Sequence, residues 1–212
     1  MQIKVVPVTA FQQNCSILVC DETNKAAIVD PGGDLENILT QLKGTGATPE
    51  KILITHGHID HAGATAELAE ILGVPIEGPH KDEKQLIDSM ASQGSMFGIQ
   101  GKGFTPDRWL DDGDKVTVGN QTFEVFHCPG HTKGHIVFYN PKQHFAVVGD
   151  VIFQGSIGRT DFPGGNHQDL VDSIRQKLFP LGDDVQFLPG HGPVSTFGQE
   201  RRTNPFVGDH AV

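Results

Sequence analysis

The spacing of apolar and polar positions in the first third of the chain predicts an alternation of strands and helices. Short apolar runs between polar turns predict strands over residues 3–8, 15–20, 25–30 and 51–55. Apolar positions at helical spacing predict helices over residues 35–43, 62–72 and 81–90. Asp34 is suited to cap the first helix and Gly73 to end the second, while a short strand is expected near residues 75–77.

The second half of the chain is predicted to be richer in strands, most of them arranged as hairpins. These strands cover residues 115–118, 122–127, 135–139, 144–149 and 185–188. Asn166, with Asp169 three residues later, resembles the capping box of a helix that buries Leu170 and Ile174. Residues 91–103 contain four glycines and are predicted to form a mobile connection.

This order of elements indicates sheets that are covered by helices, because hairpins are interspersed with helices and do not alternate strictly with them. Each half of the chain supplies several strands and at least one covering helix. Two sheets packed face to face between two helical layers would bury the apolar face of each element. The pattern therefore favours an α+β architecture, with four layers as its natural arrangement.

Composition indicates which kinds of binding partner and which cellular compartment to expect. The 212 residues carry a formal net charge of −10, which disfavours nucleic acid and membrane surfaces as partners, because both call for a basic surface. Cys15, Cys20 and Cys128 are an odd number of cysteines without metal-type spacing, so a disulfide framework is not expected. The N-terminus lacks the basic and apolar regions of a signal peptide, and no apolar stretch approaches the ~18 residues that span a bilayer. These features predict a cytoplasmic protein with reduced thiols.

The most informative stretch is residues 56–61, HGHIDH, in which His56, His58, Asp60 and His61 can each bind a metal. It lies between a predicted buried strand and a predicted helix. The backbone changes direction at such a turn, so closely spaced side chains can converge on one point. The stretch therefore predicts a metal site and not merely a polar turn rich in histidine.

Three further candidate ligands, His131, Asp150 and His191, each follow a predicted strand and are each preceded by a glycine. Glycine permits a close backbone approach, or a positive φ that turns the next side chain inward. One such pair is a weak signal, but three of them beside the stretch 56–61 predict one shared site. Because that site draws distant parts of the chain together, residues 1–212 are expected to form a single domain.

The seven candidate ligands comprise five imidazoles and two carboxylates, which is too many for one tetrahedral ion. They suit two divalent ions with open coordination positions, and the lack of cysteine among them argues against a closed structural zinc site. Nitrogen and oxygen ligands fit zinc, iron or manganese equally well, so the ligand type does not select the metal. Two such ions would share a bridging water and lower its pKa, giving hydroxide at neutral pH.

This ordered set of ligands, with Asp30 at the end of an early strand, resembles the metallo-β-lactamase superfamily. The match extends from about residue 14 to residue 192 and includes the five motifs of that superfamily. The resemblance implies the αββα fold, a four-layer sandwich of two packed β-sheets flanked by helices. It also implies that the metals lie in a groove at one edge of the sheets.

The resemblance further implies a division of the ligands between two ions. The first ion would be held by His56, His58 and His131. The second ion would be held by Asp60, His61 and His191. Asp150 would bridge both ions, and Asp30 would brace the ligands from behind.

Two segments narrow the resemblance to a group within the superfamily. Residues 153–165, FQGSIGRTDFPGG, are similar to the glyoxalase II group and to persulfide dioxygenases. Residues 202–206, RTNPF, are similar to the terminal run of hydroxyacylglutathione hydrolases. Only 21 residues follow His191, so the chain is expected to lack the C-terminal helical domain of longer glyoxalase II enzymes and to contact glutathione less extensively.

The activity that this resemblance implies is hydrolysis of a small-molecule thioester, S-lactoylglutathione, by a centre of two divalent ions, most simply zinc. A metal-bridging hydroxide would be the nucleophile, with Asp60 and Asp150 as the catalytic carboxylates that hold the ions. The leaving thiol has a pKa near 8.5, so it can depart as thiolate without a dedicated acid. The sequence leaves the oligomeric state open.

Arg159 is the candidate substrate-binding residue, because the resemblance places a basic residue there facing the peptide thiol. A salt bridge from Arg159 to Asp161, or to the helix that follows, is the structural alternative. Among the remaining histidines, His127 and His135 flank His131 and are candidates to orient a ligand. The other polar histidines, His80, His144 and His210 among them, are expected at the surface.

Other activities are compatible with parts of the same set. A mononuclear-iron persulfide dioxygenase could use His56, His58, His131 and Asp150 and leave the second ion out. A β-lactamase is disfavoured, because no signal peptide is visible and expulsion of an amine requires its protonation. Oxygen uptake with glutathione persulfide would separate the dioxygenase from the hydrolase.

Overall fold

The computed structural model describes residues 1–211, and its first half folds around a five-stranded sheet. The strands are β1 (Gln2–Val8), β2 (Gln13–Val19), β3 (Lys25–Val29), β4 (Thr48–Leu53) and β5 (Ile76–Glu77). They lie in chain order, with β1 to β3 antiparallel and β4 and β5 added parallel to β3. Parallel neighbours need a crossover connection, which is supplied by α1 (Leu35–Thr45), and then by α2 (Ile59–Ala62) with α3 (Thr65–Leu72).

The second half folds around a six-stranded sheet. Its strands are β6 (Lys115–Val118), β7 (Gln121–His127), β8 (Ile136–Asn140), β9 (Phe145–Gly149), β12 (Gln186–Pro189) and β13 (Ser195–Thr196). The order across this sheet is β13-β12-β9-β8-β7-β6, and only the β12–β9 pair is parallel. A separate two-stranded hairpin, β10 (Ile152–Phe153) with β11 (Ser156–Ile157), follows β9.

The remaining helices lie between and after these strands. A 3-10 turn at Lys81–Glu83 leads into α4 (Lys84–Asp88) and α5 (Met90–Phe97). Helix α6 (His167–Asp172) continues as a π-helical segment, Ser173–Leu178, and a 3-10 turn, Phe179–Leu181. Helix α7 (Phe197–Thr203) comes last. None of the helices within residues 1–211 is long and apolar enough to cross a bilayer.

Alternation along the strands divides the apolar side chains into three buried layers. In β3, Ile28 packs with the helices of the first half, whereas Val29 faces the second sheet. In β8, Val137 packs with α6 and its continuation, whereas Phe138 faces the first sheet. The two sheets therefore pack face to face between helical layers, and the predicted four-layer sandwich is confirmed.

Some local predictions are wrong for identifiable reasons. Residues 91–103 were expected to be a mobile connection, but most of their first half belongs to α5, whose glycines have structural roles. Gly94 packs against the backbone of Ile99, and Gly98 ends the helix with a φ of 70° in the left-handed region. Asp34 is the N-cap residue of α1 as predicted, but its carboxylate does not cap the helix. With a φ of 48° at this residue, the carboxylate accepts a hydrogen bond from Thr9 N at 2.7 Å instead.

Two other differences concern element boundaries. The predicted helix over residues 62–72 is divided into α2 and α3, and Gly73 ends the second with a φ of 64° as expected. Asn166 caps α6 as predicted, since its side chain accepts from Asp169 N. Helix α7 and the β10–β11 hairpin have no counterpart among the predicted elements, because both are short and lack a periodic apolar pattern.

We expect the layer between the sheets to dominate stability. Phe138 is completely buried there, so Phe138→Ala removes a large apolar side chain and leaves a cavity that the sheets cannot close. Chemical denaturation should show a loss of about 3–5 kcal/mol in the free energy of unfolding. Ile71→Ala is the control, because that side chain is 53% exposed, and it should change the value by no more than about 0.5 kcal/mol. Similar effects of the two substitutions would contradict this account.

Candidate metal centre

The ligand-bearing loops meet at one edge of the sandwich because each follows the carboxyl end of a strand. Residues 56–61 follow β4 in the first sheet, while His131, Asp150 and His191 follow β7, β9 and β12 in the second. The two sheets face each other, so loops at corresponding ends converge across the groove between them. All seven sequence-predicted side chains lie at this one place.

Three imidazoles form a first cluster. His58 Nδ1 lies 3.1 Å from His56 Nε2 and 3.0 Å from His131 Nε2. His58 occupies the residue before α2 with extended backbone, which lets its ring turn back towards His56. The three ring nitrogens are close enough to share one ion.

A second cluster consists of Asp60, His61 and His191. Asp60 Oδ2 lies 3.2 Å from His191 Nε2 and 3.9 Å from His61 Nε2. Asp60 and His61 belong to the first turn of α2, and the ring of His61 lies 4.2 Å from that of His56 between centroids, so the second cluster adjoins the first.

Asp150 lies between the two clusters. Its Oδ1 is 3.2 Å from His61 Nε2, and its Oδ2 is 3.7 Å from both His131 Nε2 and His191 Nε2. One carboxylate therefore contacts members of both sets. This is the arrangement that a bridging ligand requires.

Outer hydrogen bonds fix the orientation of several rings. The Nδ1 atoms of His61, His131 and His191 lie 2.9 Å from Asp30 Oδ2, 2.7 Å from Arg159 O and 3.1 Å from Phe11 O, respectively. Because each partner is an oxygen acceptor, Nδ1 carries the proton and the lone pair of Nε2 faces the centre. The three rings are therefore held in the tautomer that can bind a metal.

Asp30 joins the ends of two strands to one of these rings. Its carboxylate accepts hydrogen bonds from Thr55 N at 2.7 Å and from Thr55 Oγ1 at 2.6 Å, besides the bond from His61. The residue has a φ of 51°, in the left-handed region that side chains rarely adopt. The backbone strain is held in place by three hydrogen bonds to one buried carboxylate.

Of the two histidines that flank His131, only His135 belongs to the centre. Its Nε2 accepts from Asp150 N at 3.0 Å, and its ring stacks on His56 at 4.5 Å between centroids. His127 instead binds Lys133 O and stacks on His80, 4.3 Å away. His80 was expected at the surface but is buried, because it lies in this stack.

Two further residues at the centre were missed by sequence reasoning. Glu83 and Gln93 both hydrogen-bond to the backbone of the turn 56–61. Neither belongs to a motif, and Gln93 lies in the segment that was expected to be mobile. The one signal available for Glu83 was that an acidic residue lies within the predicted helix over residues 81–90, next to positions expected to be buried.

Burial lowers the pKa values of histidines in both clusters, but neighbouring carboxylates oppose this effect in the second cluster. Burial lowers the pKa of His56 well below its ordinary value and that of His58 to about 3, so the first cluster consists of neutral imidazoles. Burial also disfavours charge on His61, but Asp150 and Asp60 outweigh it and raise the pKa of His61 well above its ordinary value. The carboxylates of Asp150 and Asp60 therefore favour positive charge at His61 Nε2, which either a proton or a metal cation can supply.

The residues present fit a divalent cation. Within residues 1–211, His61 Nε2 and Asp150 Oδ1 are among the buried polar atoms without a hydrogen-bond partner, and both face the centre. Neutral ring nitrogens that face one another at 3.0–3.1 Å have no favourable interaction of their own unless a proton or a cation lies among them. Imidazole and carboxylate are also the ligand types that first-row divalent metals prefer.

Arg159 lies at the rim of the centre and pairs with Asp161. Its guanidinium donates two hydrogen bonds of 2.7 Å to that carboxylate, and its side chain is 58% exposed. The guanidinium also stacks 4.0 Å over the ring of Phe162, which packs edge-on against His58. The structural alternative of a salt bridge is thus present, while the backbone oxygen of Arg159 orients His131.

Imidazoles and carboxylates that converge at one edge of an αββα sandwich indicate a metal-dependent enzyme. The chain belongs to the metallo-β-lactamase superfamily, whose sequence pattern is matched by residues 8–191.

The chain is similar to relatives over almost its entire length. It is 46% identical over 209 residues to the hydroxyacylglutathione hydrolase GloC of Haemophilus influenzae, an alignment that covers 98% of each protein. Its structure is similar to that of the B3 metallo-β-lactamase BLEG-1, with a TM-score of 0.89, 38% identity, and 97% and 99% of the two chains covered. It is also similar to the di-iron-bound form of TTHA1623, with a TM-score of 0.87, 35% identity, and 96% and 99% covered.

Proposed function

We propose that the chain hydrolyses glutathione-type thioesters, with S-lactoylglutathione converted to lactate and glutathione. The observation that carries this proposal is the convergence of two three-residue clusters on Asp150, since seven ligands suit a two-ion hydrolytic centre. Full-length similarity to a hydroxyacylglutathione hydrolase supports the substrate class. The similarity to BLEG-1 concerns a protein described as a β-lactamase, so the substrate has to be tested directly.

In this proposal, His56, His58 and His131 would hold one divalent ion, and Asp60, His61 and His191 would hold a second. Asp150 would contribute to both positions, and Asp60 and Asp150 would be the catalytic carboxylates. Zinc is our first expectation, while the di-iron form of a similar protein supports iron as the alternative. Ions of this kind act as Lewis acids, which lower the pKa of bound water and stabilise a developing oxyanion.

The chain's own residues would orient the ligands and shape the entrance. Asp30 and the carbonyls of Phe11 and Arg159 hold imidazole rings with their lone pairs inward. Two aromatic rings, Phe162 beside His58 and Phe153 beside His191, offer apolar walls for the acyl group.

No side-chain nucleophile is needed in this proposal. The thiol nearest in sequence to His131 is Cys128, which is fully buried, and burial raises its pKa to about 12, so it is a poor nucleophile at neutral pH. The leaving thiol can depart as thiolate without a proton donor. We also propose that residues 1–212 act as a single domain in the cytoplasm, which the three free cysteines support.

The metal content of the purified protein tests the proposed centre. We expect about two transition-metal ions per chain by elemental analysis, because the ligands form two clusters. Asp150→Ala should lose ions from both positions, since that carboxylate contacts both clusters. His191→Ala should mainly weaken the second, and His144→Ala, a substitution at an exposed histidine, is the control. One tightly held ion at full activity would contradict a two-ion mechanism and favour the dioxygenase.

The substrate is tested by turnover of S-lactoylglutathione at neutral pH. We expect release of free thiol that a chelator abolishes and that added metal restores, because the ions would activate the attacking water and polarise the thioester carbonyl. Oxygen consumption with glutathione persulfide is measured in parallel. Oxygen uptake without thiol release at saturating enzyme would refute the thioesterase proposal and establish the other reaction class.

Arg159 is proposed to bind the glutathione part of the substrate, and this role can be tested separately. Its guanidinium lies beside the ring that contacts His58, so it could exchange Asp161 for a carboxylate of the glutathione moiety. Arg159→Ala should raise KM for S-lactoylglutathione about ten-fold, with little change for a small uncharged thioester and none in metal content. His131 keeps its bond, because the acceptor is a backbone oxygen.

Asp161→Asn is the matched control for this substitution. It removes the competing carboxylate while Arg159 remains, so KM should be unchanged or lower. If Arg159→Ala and Asp161→Asn both reduce activity on both substrates and lower the melting temperature, the pair only braces the loop.

A further inference from the structure

Glu83 is a fully buried carboxylate that contacts two of the ligand-bearing loops at once. Its Oε2 accepts from Gly57 N at 2.7 Å, and its Oε1 accepts from Gly134 N at 2.7 Å. Gly57 lies between two members of the first cluster, and Gly134 lies three residues after its third member, His131. Burying a carboxylate is unfavourable unless its oxygens are hydrogen-bonded, and here each oxygen receives a backbone donor.

Steric fit gives an independent indication that Glu83 holds these loops closely. A Cβ on Gly57 would lie 3.2 Å from Glu83 Oε2 and 2.9 Å from Leu86 Cβ. A Cβ on Gly134 would lie 2.8 Å from both Cγ and N of Glu83. Both loops therefore need glycine where Glu83 approaches them, so the carboxylate and the two glycines form one fitted contact.

Gln93 of α5 holds the same turn through two more backbone groups. Its Oε1 accepts from Ile59 N at 3.0 Å, and its Nε2 donates to Gly57 O at 3.2 Å. The same amide donates to Leu86 O at 2.8 Å, which fixes it to α4. The backbone on both sides of His58 is thus bonded to the helical segment formed by α4 and α5.

We propose that Glu83 and Gln93 are positioning residues of the metal centre. Glu83 sets the distance between the turn that carries His56 and His58 and the loop that carries His131, and Gln93 keeps the turn from rotating. The three imidazole nitrogens then converge before an ion binds, so less ordering remains to oppose binding. This inference rests on the proposed metal centre.

The test compares two buried glutamates. Glu83→Gln keeps the size of the side chain but replaces one acceptor oxygen by an amide that faces a backbone N–H. Glu200→Gln is the matched control, because Glu200 is also buried and accepts from Gly155 N, Ser195 Oγ and Asn204 Nδ2 without contacting either loop of the first cluster. Affinity for zinc is measured by competition with a chromophoric chelator, and the melting temperature is measured on the metal-free proteins.

We expect Glu83→Gln to lower the affinity for zinc about 10- to 100-fold, as loss of an outer-shell partner does. Glu200→Gln should lower the melting temperature of the metal-free protein to a similar extent but leave the affinity within about three-fold. Gln93→Ala, at a less buried position, should also weaken zinc binding and provides the same test if Glu83→Gln does not fold.

Wild-type affinity in the Glu83 and Gln93 variants would overturn the proposal, and so would an equal loss in the Glu200 control. A wild-type protein that binds zinc but does not hydrolyse S-lactoylglutathione would refute only the proposed substrate. The comparison of affinities would then still decide the roles of Glu83 and Gln93. A wild-type protein that binds neither zinc nor ferrous iron would overturn both proposals.

Discussion

The apolar layer between the two sheets is the constraint on which the rest of the structure depends. The candidate ligands come from both sheets, so they meet only if the sheets are held at a fixed distance and angle. Completely or almost completely buried side chains from both sheets, including Val29, Phe123, Phe138 and Leu188, fill this layer. Because protein interiors are packed as densely as organic crystals, the two sheets cannot easily shift relative to each other, and the loops at their edge keep their relative positions.

Hydrogen bonds from residues that are not themselves ligands then orient the candidate ligands at that edge. Asp30 and His135 hold one ligand each, and backbone carbonyls of Phe11 and Arg159 hold two more. The cost of burying so many imidazoles and carboxylates is offset partly by these bonds. Several lone pairs that face one point remain without a hydrogen-bond donor from residues 1–211, and a bound cation would satisfy them.

Much of the fold and the ligand set followed from local sequence signals. The turn 56–61 places four candidate ligands, three histidines and one aspartate, within six residues, and this pattern is specific for a metal site. Strands and the long amphipathic helices were predictable because their apolar periodicity is local. Short elements such as α7 and β10–β11 were not, because their stability comes from contacts such as that of Asn204 with Ser156 O, far away in the chain.

The sequence by itself determined most of the strands and helices and the seven candidate ligands, since periodicity and ligand type are properties of neighbouring residues. The four-layer architecture followed from the resemblance to a known superfamily. Tertiary structure alone decided which groups stand behind the candidate ligands. It placed His135, and not His127, against Asp150, and it paired Arg159 with Asp161. It also brought Glu83 and Gln93 to the turn formed by residues 56–61. These choices depend on which distant backbone N–H and C=O groups need partners, and that is known only once the chain has folded.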